Sequence, residues 1–320
     1  MADESSPAVA FPFLSIVGAA ERSIPRTLVT LVLGAAAGLI AALAALTGVM
    51  LAATAITARG GDICWTEAIG RLMAGDRPDR ALTSYIFELA VVGASSIAAA
   101  MAFTAVSARR AGRPLRSFLT IAPRFRWRHA LVGLLVFLPV VAAEIWLGGL
   151  AKGASPGPLA TPGASGLDRL AYGAAALVFL WLAALAEELL FRGWLLQQTH
   201  ALTRRLLVVI AVNAALFTLA HGDLSLGGLL TRFAMGAGWA WVVLRLDGVE
   251  FTAGAHLANN LAIALLAQPV LLAAAASQPL DPGSVALQVG SVAILALAVE
   301  GWVRRRAAGG RPRPAIGAVG

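Results

Sequence analysis

The chain has 320 residues, of which 59% are hydrophobic and 13% are charged, and its mean hydropathy is +0.79. This composition excludes an ordinary soluble domain and is typical of a protein that crosses a membrane several times. The net charge of +8 comes mainly from arginines in short loops, which favours a role in membrane orientation over nucleic-acid binding. The single cysteine, Cys64, excludes an intrachain disulfide and a cysteine-based metal site. The bias towards alanine and arginine fits a bacterial source.

Apolar segments recur along the chain, and a helix needs roughly 20 residues to cross a bilayer. We predict an all-α fold, a polytopic membrane bundle of about eight transmembrane helices. The predicted segments are 27–56, 81–107, 130–150, 167–196, 206–220, 226–246, 251–276 and 284–303. The fifth segment is short for a complete crossing.

These segments define the predicted domain organisation. We expect a cytoplasmic N-terminal tail over 1–26, a transmembrane bundle over 27–303 with a catalytic core at about 167–276, and a basic cytoplasmic tail over 304–320. The most basic connection is 109–128, and strongly basic loops stay on the cytoplasmic side of a membrane. The predicted location is therefore integral in the cell membrane, with both termini in the cytoplasm.

The fourth apolar segment contains three charged side chains, Glu187, Glu188 and Arg192. Each charge near the bilayer centre costs roughly 2.5–3.5 kcal/mol on insertion scales, so a helix that only spans the membrane would not carry them. Glu188 and Arg192 are four positions apart, so the arginine can pair with this carboxylate. Glu187 lies about 100° round the helix and is free for general-base work on water. The alternative is a structural ion pair that joins two helices.

Two later segments add polar residues at helical spacing. These residues are Asn213, Phe217 and His221 in the fifth segment, and His256, Asn259 and Asn260 in the seventh. A lone histidine in a membrane more often bridges helices than binds a ligand, but two histidines and two glutamates on three neighbouring segments favour a shared site. A glutamate and an imidazole can activate a water molecule, with or without a divalent metal. A second histidine with a nearby amide can donate hydrogen bonds to an oxyanion. The pattern therefore predicts hydrolysis of a peptide bond inside a membrane.

The same residues resemble the motifs of the CPBP family of intramembrane proteases, which includes the CAAX prenyl endopeptidases and many bacterial Abi-type proteins. That family carries Glu-Glu-x-x-x-Arg, Phe-x-x-x-His and His-x-x-x-Asn, in this order, on successive transmembrane helices. The chain has Glu187-Glu188-Leu-Leu-Phe-Arg192, then Phe217-Thr-Leu-Ala-His221, then His256-Leu-Ala-Asn-Asn260. The resemblance covers about 187–260.

The resemblance implies a role for each residue of the three motifs. The implied roles are Glu187 as the water-activating base, Glu188 as its partner, Arg192 as the group that fixes both carboxylates, His221 as the holder of the water or of a metal, and His256 with Asn260 as the oxyanion hole. Asn213, Phe217 and Asn259 are expected to support them. If a divalent ion such as Zn²⁺ is bound, its ligands would be Glu187, His221 and His256. The expected partners are membrane lipid and a membrane-associated peptide or protein substrate, and no nucleic acid.

Three alternative functions remain open. Gly163-Ala164-Ser165-Gly166 resembles the nucleophile motif of rhomboid serine proteases, but here the His-x-x-x-Asn pair follows the serine instead of preceding it, and both glutamates are left unexplained. A non-catalytic scaffold or immunity protein of the same fold is the second alternative. A proton-coupled transporter is the third, although the chain lacks the internal repeats of many transporters.

Position along the helices leads to further expectations. Counted from Arg205, His221 lies about 24 Å along its helix, which is too deep in the membrane to meet Glu187. The two residues can meet if the fourth helix extends beyond the outer face of the membrane, and Tyr172 would then lie at the outer interface.

Three more charged residues fall in the outer third of their segments and are expected to form a structural ion cluster: Glu88, Glu144 and Arg232. The basic loop 109–128 is expected to lie on anionic lipid.

Overall fold

The computed structural model describes residues 11–58, 82, 84–152, 157–160, 162–267 and 281–309, and all statements below refer to these residues. Several parts named in the sequence predictions lie outside this set: 1–10 of the N-terminal tail, the loop 59–80 with Cys64, the end of the seventh segment at 268–276, and 310–320 of the C-terminal tail.

The described residues are almost entirely helical, and the β-structure among them is an isolated bridge between Thr120 and Gly248. The α-helices are α1 (Pro12–Ser15), α2 (Ile24–Ala58), α3 (Ser84–Ala111), α4 (Trp127–Lys152), α5 (Gly166–Glu187), α6 (Leu196–Leu202), α7 (Leu206–Ala220), α8 (Leu226–Leu246), α9 (Glu250–Ala262) and α10 (Pro282–Ala308). Two π-helical segments, Glu188–Leu195 and Ile263–Ala267, follow α5 and α9. Short 3₁₀ turns occur at Ala19–Arg22, Leu115–Phe118 and Pro158–Ala160. The predicted all-α fold is confirmed.

Each of the eight predicted segments contains a helix, but the helices differ in length and polarity. Five are long and apolar enough to cross a membrane: Ile24–Ile56, Tyr85–Ala111, Trp127–Gly148, Gly166–Leu202 and Pro282–Ala308. The 15 residues of α7 extend only about 22 Å, which is short of the roughly 30 Å hydrocarbon core. The polytopic helical bundle is therefore confirmed, whereas the number of eight crossings stays a prediction.

Helix α9 lies at the centre of the bundle, and every residue from Glu250 to Ala258 is buried. It packs against α4 with backbones in direct contact, because a Cβ added at Gly254 would overlap the carbonyl oxygen of Ala130. A Cβ added at Gly133 of α4 would likewise overlap the carbonyl oxygen of Phe251. Small residues allow this close approach between membrane helices. The position of α9, which carries one of the predicted histidine motifs, is therefore set by glycine packing.

The start of the described chain packs onto one end of the bundle. Phe13 and Leu14 of α1 are buried in a cluster with Leu196 of α6 and Val243 of α8. This part of the predicted tail therefore contributes to the core, although the predicted boundary at residue 26 stays a prediction.

Two residues singled out in the sequence have structural roles. Tyr172 lies fully inside the bundle, where its hydroxyl donates a hydrogen bond of 2.7 Å to the carbonyl oxygen of Ala264, and its depth in the membrane stays a prediction. Ser165 of the serine-protease-like motif caps α5: its hydroxyl oxygen accepts from the Asp168 backbone N–H, and Asp168 accepts in return from Ser165. This reciprocal capping box explains the serine as a helix start signal.

Candidate active site

The Glu-Glu motif lies where a helix changes its hydrogen-bonding pattern. α5, the π-segment Glu188–Leu195 and α6 form one continuous helix, and the change from α to π occurs between Glu187 and Glu188. Within it, the N–H of Leu196 donates to the carbonyl oxygen of Phe191, five residues earlier. Single π turns inside α-helices occur frequently at functional sites. The sequence predictions treated this stretch as an ordinary α-helix.

Glu188 is a completely buried carboxylate held by three side chains. Its Oε1 atom lies 3.2 Å from Nη1 of Arg192 and 3.2 Å from Nδ1 of His256, and its Oε2 atom accepts a 2.7 Å hydrogen bond from the hydroxyl of Thr252. The predicted pairing with Arg192 is therefore present. Thr252, one turn before His256 on α9, was not among the residues predicted from the sequence.

The side chain of Glu187, in contrast, is only partly buried. Its side chain is 31% exposed, and its Oε2 atom lies 3.7 Å from Nε2 of His221 and 3.6 Å from Nε2 of His256. Three helical elements therefore bring the first glutamate and both histidines to one point. These separations are longer than a direct hydrogen bond, and a small shared group such as a water molecule would bridge them.

The two histidines are oriented through their other ring nitrogens. Nδ1 of His221 lies 2.8 Å from the carbonyl oxygen of Phe217, and Nδ1 of His256 lies 3.2 Å from Glu188. Both partners accept hydrogen bonds, so each Nδ1 is placed to donate. Nε2 of each ring is thereby directed towards Glu187.

The chemistry of these donors fits a divalent ion. A carboxylate with two imidazoles is a common ligand set for catalytic zinc, and metal-bound histidines usually have the other ring nitrogen held by an acceptor, as here. Ligands around tetrahedral zinc lie about 3.3 Å apart, slightly closer than Glu187 and the histidines. Within the described ranges, no three His, Cys, Asp or Glu side chains are arranged so that they could hold a metal ion as they stand.

Arg192 is buried among aromatic rings. Its guanidinium carbon lies 4.0 Å from the ring centre of Phe217 and 5.3 Å from that of Trp239. Phe217 also meets His221 edge to face at 4.5 Å, and Trp239 lies 4.7 Å from His256. These rings position the cation and both imidazoles together. Phe217 was predicted as support, whereas Trp239 of α8 carries no recognisable motif and was not predicted.

The three asparagines lie at different places. Asn213 is buried, and its amide donates to the carbonyl oxygen of Phe191 in the π-segment. Asn259 donates to Oδ1 of Asn260 at 3.2 Å, which leaves the amide NH₂ of Asn260 as a donor. Within the described part of the chain, Asn260 has no hydrogen bond to the glutamates or the histidines.

A strong ion pair fixes the start of α9. Arg126 donates to both carboxylate oxygens of Glu250, from Nε at 2.8 Å and from Nη2 at 2.6 Å, and its backbone N–H adds a bond of 3.2 Å. Glu250 is completely buried. Such bidentate arginine pairs have both strength and defined geometry. This basic loop was expected to lie on lipid, but Arg126 instead anchors the helix that carries Thr252 and His256.

Other charged residues also differ from expectation. Arg232 pairs with Asp223 at 2.6 Å, and not with Glu88 or Glu144 as the predicted ion cluster required. Arg113 of the basic loop is likewise directed inward, where it contacts Glu21 at 2.7 Å and Gln197 at 2.8 Å. Burial lowers the pKa of the Arg113 guanidinium, and the Glu21 carboxylate partly opposes this change.

Fold and site together define a polytopic helical membrane protein with a partly buried glutamate–histidine centre on three neighbouring helical elements. Residues 170–262, from α5 to the end of α9, match the family model described as "Type II CAAX prenyl endopeptidase Rce1-like". This match confirms the resemblance to the CPBP family that the three motifs indicated. The chain is therefore similar, over its central region, to a family of membrane proteases.

A curated protein is also similar to part of this chain. The chain is 26% identical over 156 residues to "Uncharacterized protein YyaK" from Bacillus subtilis (strain 168). The aligned region covers 47% of this chain and 51% of the relative, so the chain spans about half the length of that protein. No solved structure matches the chain.

Proposed function

We propose that this chain is an intramembrane endopeptidase that hydrolyses a peptide bond of a membrane-associated substrate. The observation that carries the proposal is the convergence of Glu187 with the Nε2 atoms of His221 and His256. A half-buried carboxylate and an imidazole nitrogen directed towards it are the groups that orient and deprotonate water. The match to a protease family supports the same activity.

The proposed reaction assigns one proton path. A water molecule donates one hydrogen bond to Glu187 and one to Nε2 of His221, and its oxygen attacks the carbonyl carbon of the substrate amide. Glu187 takes the proton as the C–O bond forms and returns it to the amide nitrogen as the C–N bond breaks. The products are a carboxylic acid and an amine, so the proton balance closes.

The oxyanion of the tetrahedral intermediate needs hydrogen-bond donors. We assign this role to the amide NH₂ of Asn260 and to an N–H of His256 at Nε2, because the two residues lie one turn apart on α9. Glu188, which holds Nδ1 of His256, acts as a positioning residue in this scheme. If a divalent ion is bound, Glu187, His221 and His256 would hold it, His256 would then not donate to the oxyanion, and the ion would supply Lewis-acid activation of the water.

The same proposal includes the orientation in the membrane. Basic residues gather at one end of the bundle, where Arg110 bonds Thr30 and Arg245 pairs with Glu300. The positive-inside rule places this end in the cytoplasm. Within the bundle, the proposed catalytic core is about 167–276, and the remaining helices support it.

The deciding experiment compares membranes that contain the wild-type protein with membranes that contain Glu187→Gln. With the wild type, new protein N-termini that are identified by mass spectrometry should accumulate. With the variant, the rate at which they form should be roughly 10²–10⁴-fold lower, as expected for loss of a general base. Glu144→Gln is the matched control, because it removes another carboxylate from a membrane helix and should leave the new N-termini unchanged. Metal analysis of the purified protein tests the ion separately.

If the wild type and Glu187→Gln produce the same N-termini, the protease proposal is wrong. A scaffold or transporter function would then account better for the polar centre.

A further inference from the structure

A basic cavity lies at the end of the bundle where the arginines gather. It has a volume of about 850 Å³ and is bounded by the segment around α1 and by the ends of α6, α8 and α10. Four arginines and one carboxylate line it: Arg22, Arg204, Arg245, Arg304 and Glu300. The cavity thus has an excess of three positive charges.

The carboxylate is fully occupied by two of these arginines. Glu300 lies 2.6 Å from Nε of Arg245 and 2.6 Å from Nε of Arg304. In the described part of the chain, no carboxylate lies within ion-pair distance of Arg22 or Arg204, and both are close to His200 of α6. Two guanidinium groups that line the cavity are therefore available to an anion.

The lining of the cavity also contains apolar side chains. Phe11 meets Trp241 edge to face at 6.1 Å, and Leu14 and Leu206 line the cavity as well. A cavity lined by both guanidinium groups and aromatic and aliphatic side chains fits an amphiphilic anion. A small, fully hydrated anion would leave the apolar part of the lining unused.

We propose that this basic cavity binds an anionic phospholipid, with its phosphate between Arg22 and Arg204 and its glycerol and first acyl carbons against Trp241 and Phe11. Guanidinium groups match phosphate oxygens in pairs, and the ends of membrane helices lie at the depth of lipid headgroups. His200 is 13 residues beyond Glu187 on the continuous helix, about 20 Å away, so this site is separate from the reacting carboxylate. The proposal does not depend on protease activity.

Thermal unfolding of the full-length protein in a neutral detergent tests the site. Phosphatidylglycerol should raise Tm, whereas equal concentrations of phosphatidylcholine or inorganic phosphate should not. The double variant Arg22→Gln/Arg204→Gln should bind phosphatidylglycerol roughly tenfold more weakly or worse, as counted by native mass spectrometry. The single variant Arg204→Gln serves if the double variant does not fold.

The matched control is Arg124→Gln/Arg305→Gln, which removes two exposed arginines from the same end of the bundle but outside the cavity. It should retain the binding and the Tm increase of the wild type. Equal loss in both double variants would show diffuse charge attraction and overturn the proposal. A Tm increase from inorganic phosphate equal to that from phosphatidylglycerol would also overturn it, because the site would then bind a soluble anion.

Discussion

Helices α2 and α9 belong to the same bundle but have opposite surroundings. α2 presents large apolar side chains outward along its length, with Ile40 69% exposed and Val32 65% exposed. α9 is buried without interruption from Glu250 to Ala258, and it contains a glutamate, a threonine and a histidine in that stretch. The more enclosed helix is therefore the more polar one.

The lipid that surrounds the bundle explains why the enclosed helix is the more polar one. Hydrocarbon cannot hydrogen-bond a polar group, so a helix that faces lipid carries apolar residues and needs little else. A polar group is tolerated where other protein groups satisfy it, as Arg126 satisfies Glu250. In this chain, enclosure by protein together with polarity distinguishes the candidate functional region. Substitutions should accordingly have large effects in α9 and small effects in α2.

The largest effect on stability is expected for Glu250→Ala. This change leaves Arg126 without its buried partner, which typically costs about 3–5 kcal/mol, and the partial exposure of Arg126 favours the lower value. Unfolding of the purified protein in detergent, followed by circular dichroism, measures the loss. Ile40→Ala on α2 should change stability by less than about 0.5 kcal/mol.

A second variant separates charge from packing at this position. Arg126→Met/Glu250→Leu removes both charges and should recover most of the stability, because no unpaired charge remains. If the double variant is as unstable as Glu250→Ala, the ion pair does not explain the position of α9.

The next effect in size is a contrast between two glycines. A Cβ at Gly254 overlaps the backbone of α4, whereas a Cβ at Gly48 of α2 meets nothing within 4 Å. Gly254→Ala should therefore cost about 1–3 kcal/mol through overpacking, and Gly48→Ala should gain up to about 1 kcal/mol from reduced backbone entropy. Equal effects of the two substitutions on the unfolding midpoint would contradict the contrast between the two helices.

Much of the candidate site could be predicted from local spacing. Glu188 and Arg192 lie four positions apart and pair as expected, and the neighbouring Glu187 points elsewhere, towards the histidines. Helical periodicity determines such relations, so they can be read directly from the sequence. The order of the three motifs made the rest predictable, because each motif places between one and three polar groups on a different helix.

Contacts between distant parts of the chain could not be predicted in this way. Arg126 and Glu250 are 124 positions apart, and no spacing rule connects them. The π-segment depends on tertiary packing: a Cβ at Gly193 would overlap the Phe118 carbonyl, and Asn213 bonds the Phe191 carbonyl. Counting at 1.5 Å per residue also placed His221 too deep to meet Glu187, although the two side chains lie 3.7 Å apart. The depth of a residue in the membrane depends on where its helix ends and how the helix is tilted, and both depend on tertiary packing.

The smallest of these effects concerns a single hydroxyl group. Thr252→Val keeps the side-chain shape but leaves Oε2 of Glu188 without its 2.7 Å donor, which should cost about 1–2 kcal/mol and lower the rate of cleavage roughly tenfold. Thr252→Ser should restore the rate, because it returns the donor. In α2, the hydroxyl of Thr47 bonds the Leu43 carbonyl of its own exposed helix, so Thr47→Val should have no measurable effect. If Thr252→Val is as active as the wild type, Glu188 does not need this contact to position His256, and the enclosure of α9 serves packing alone.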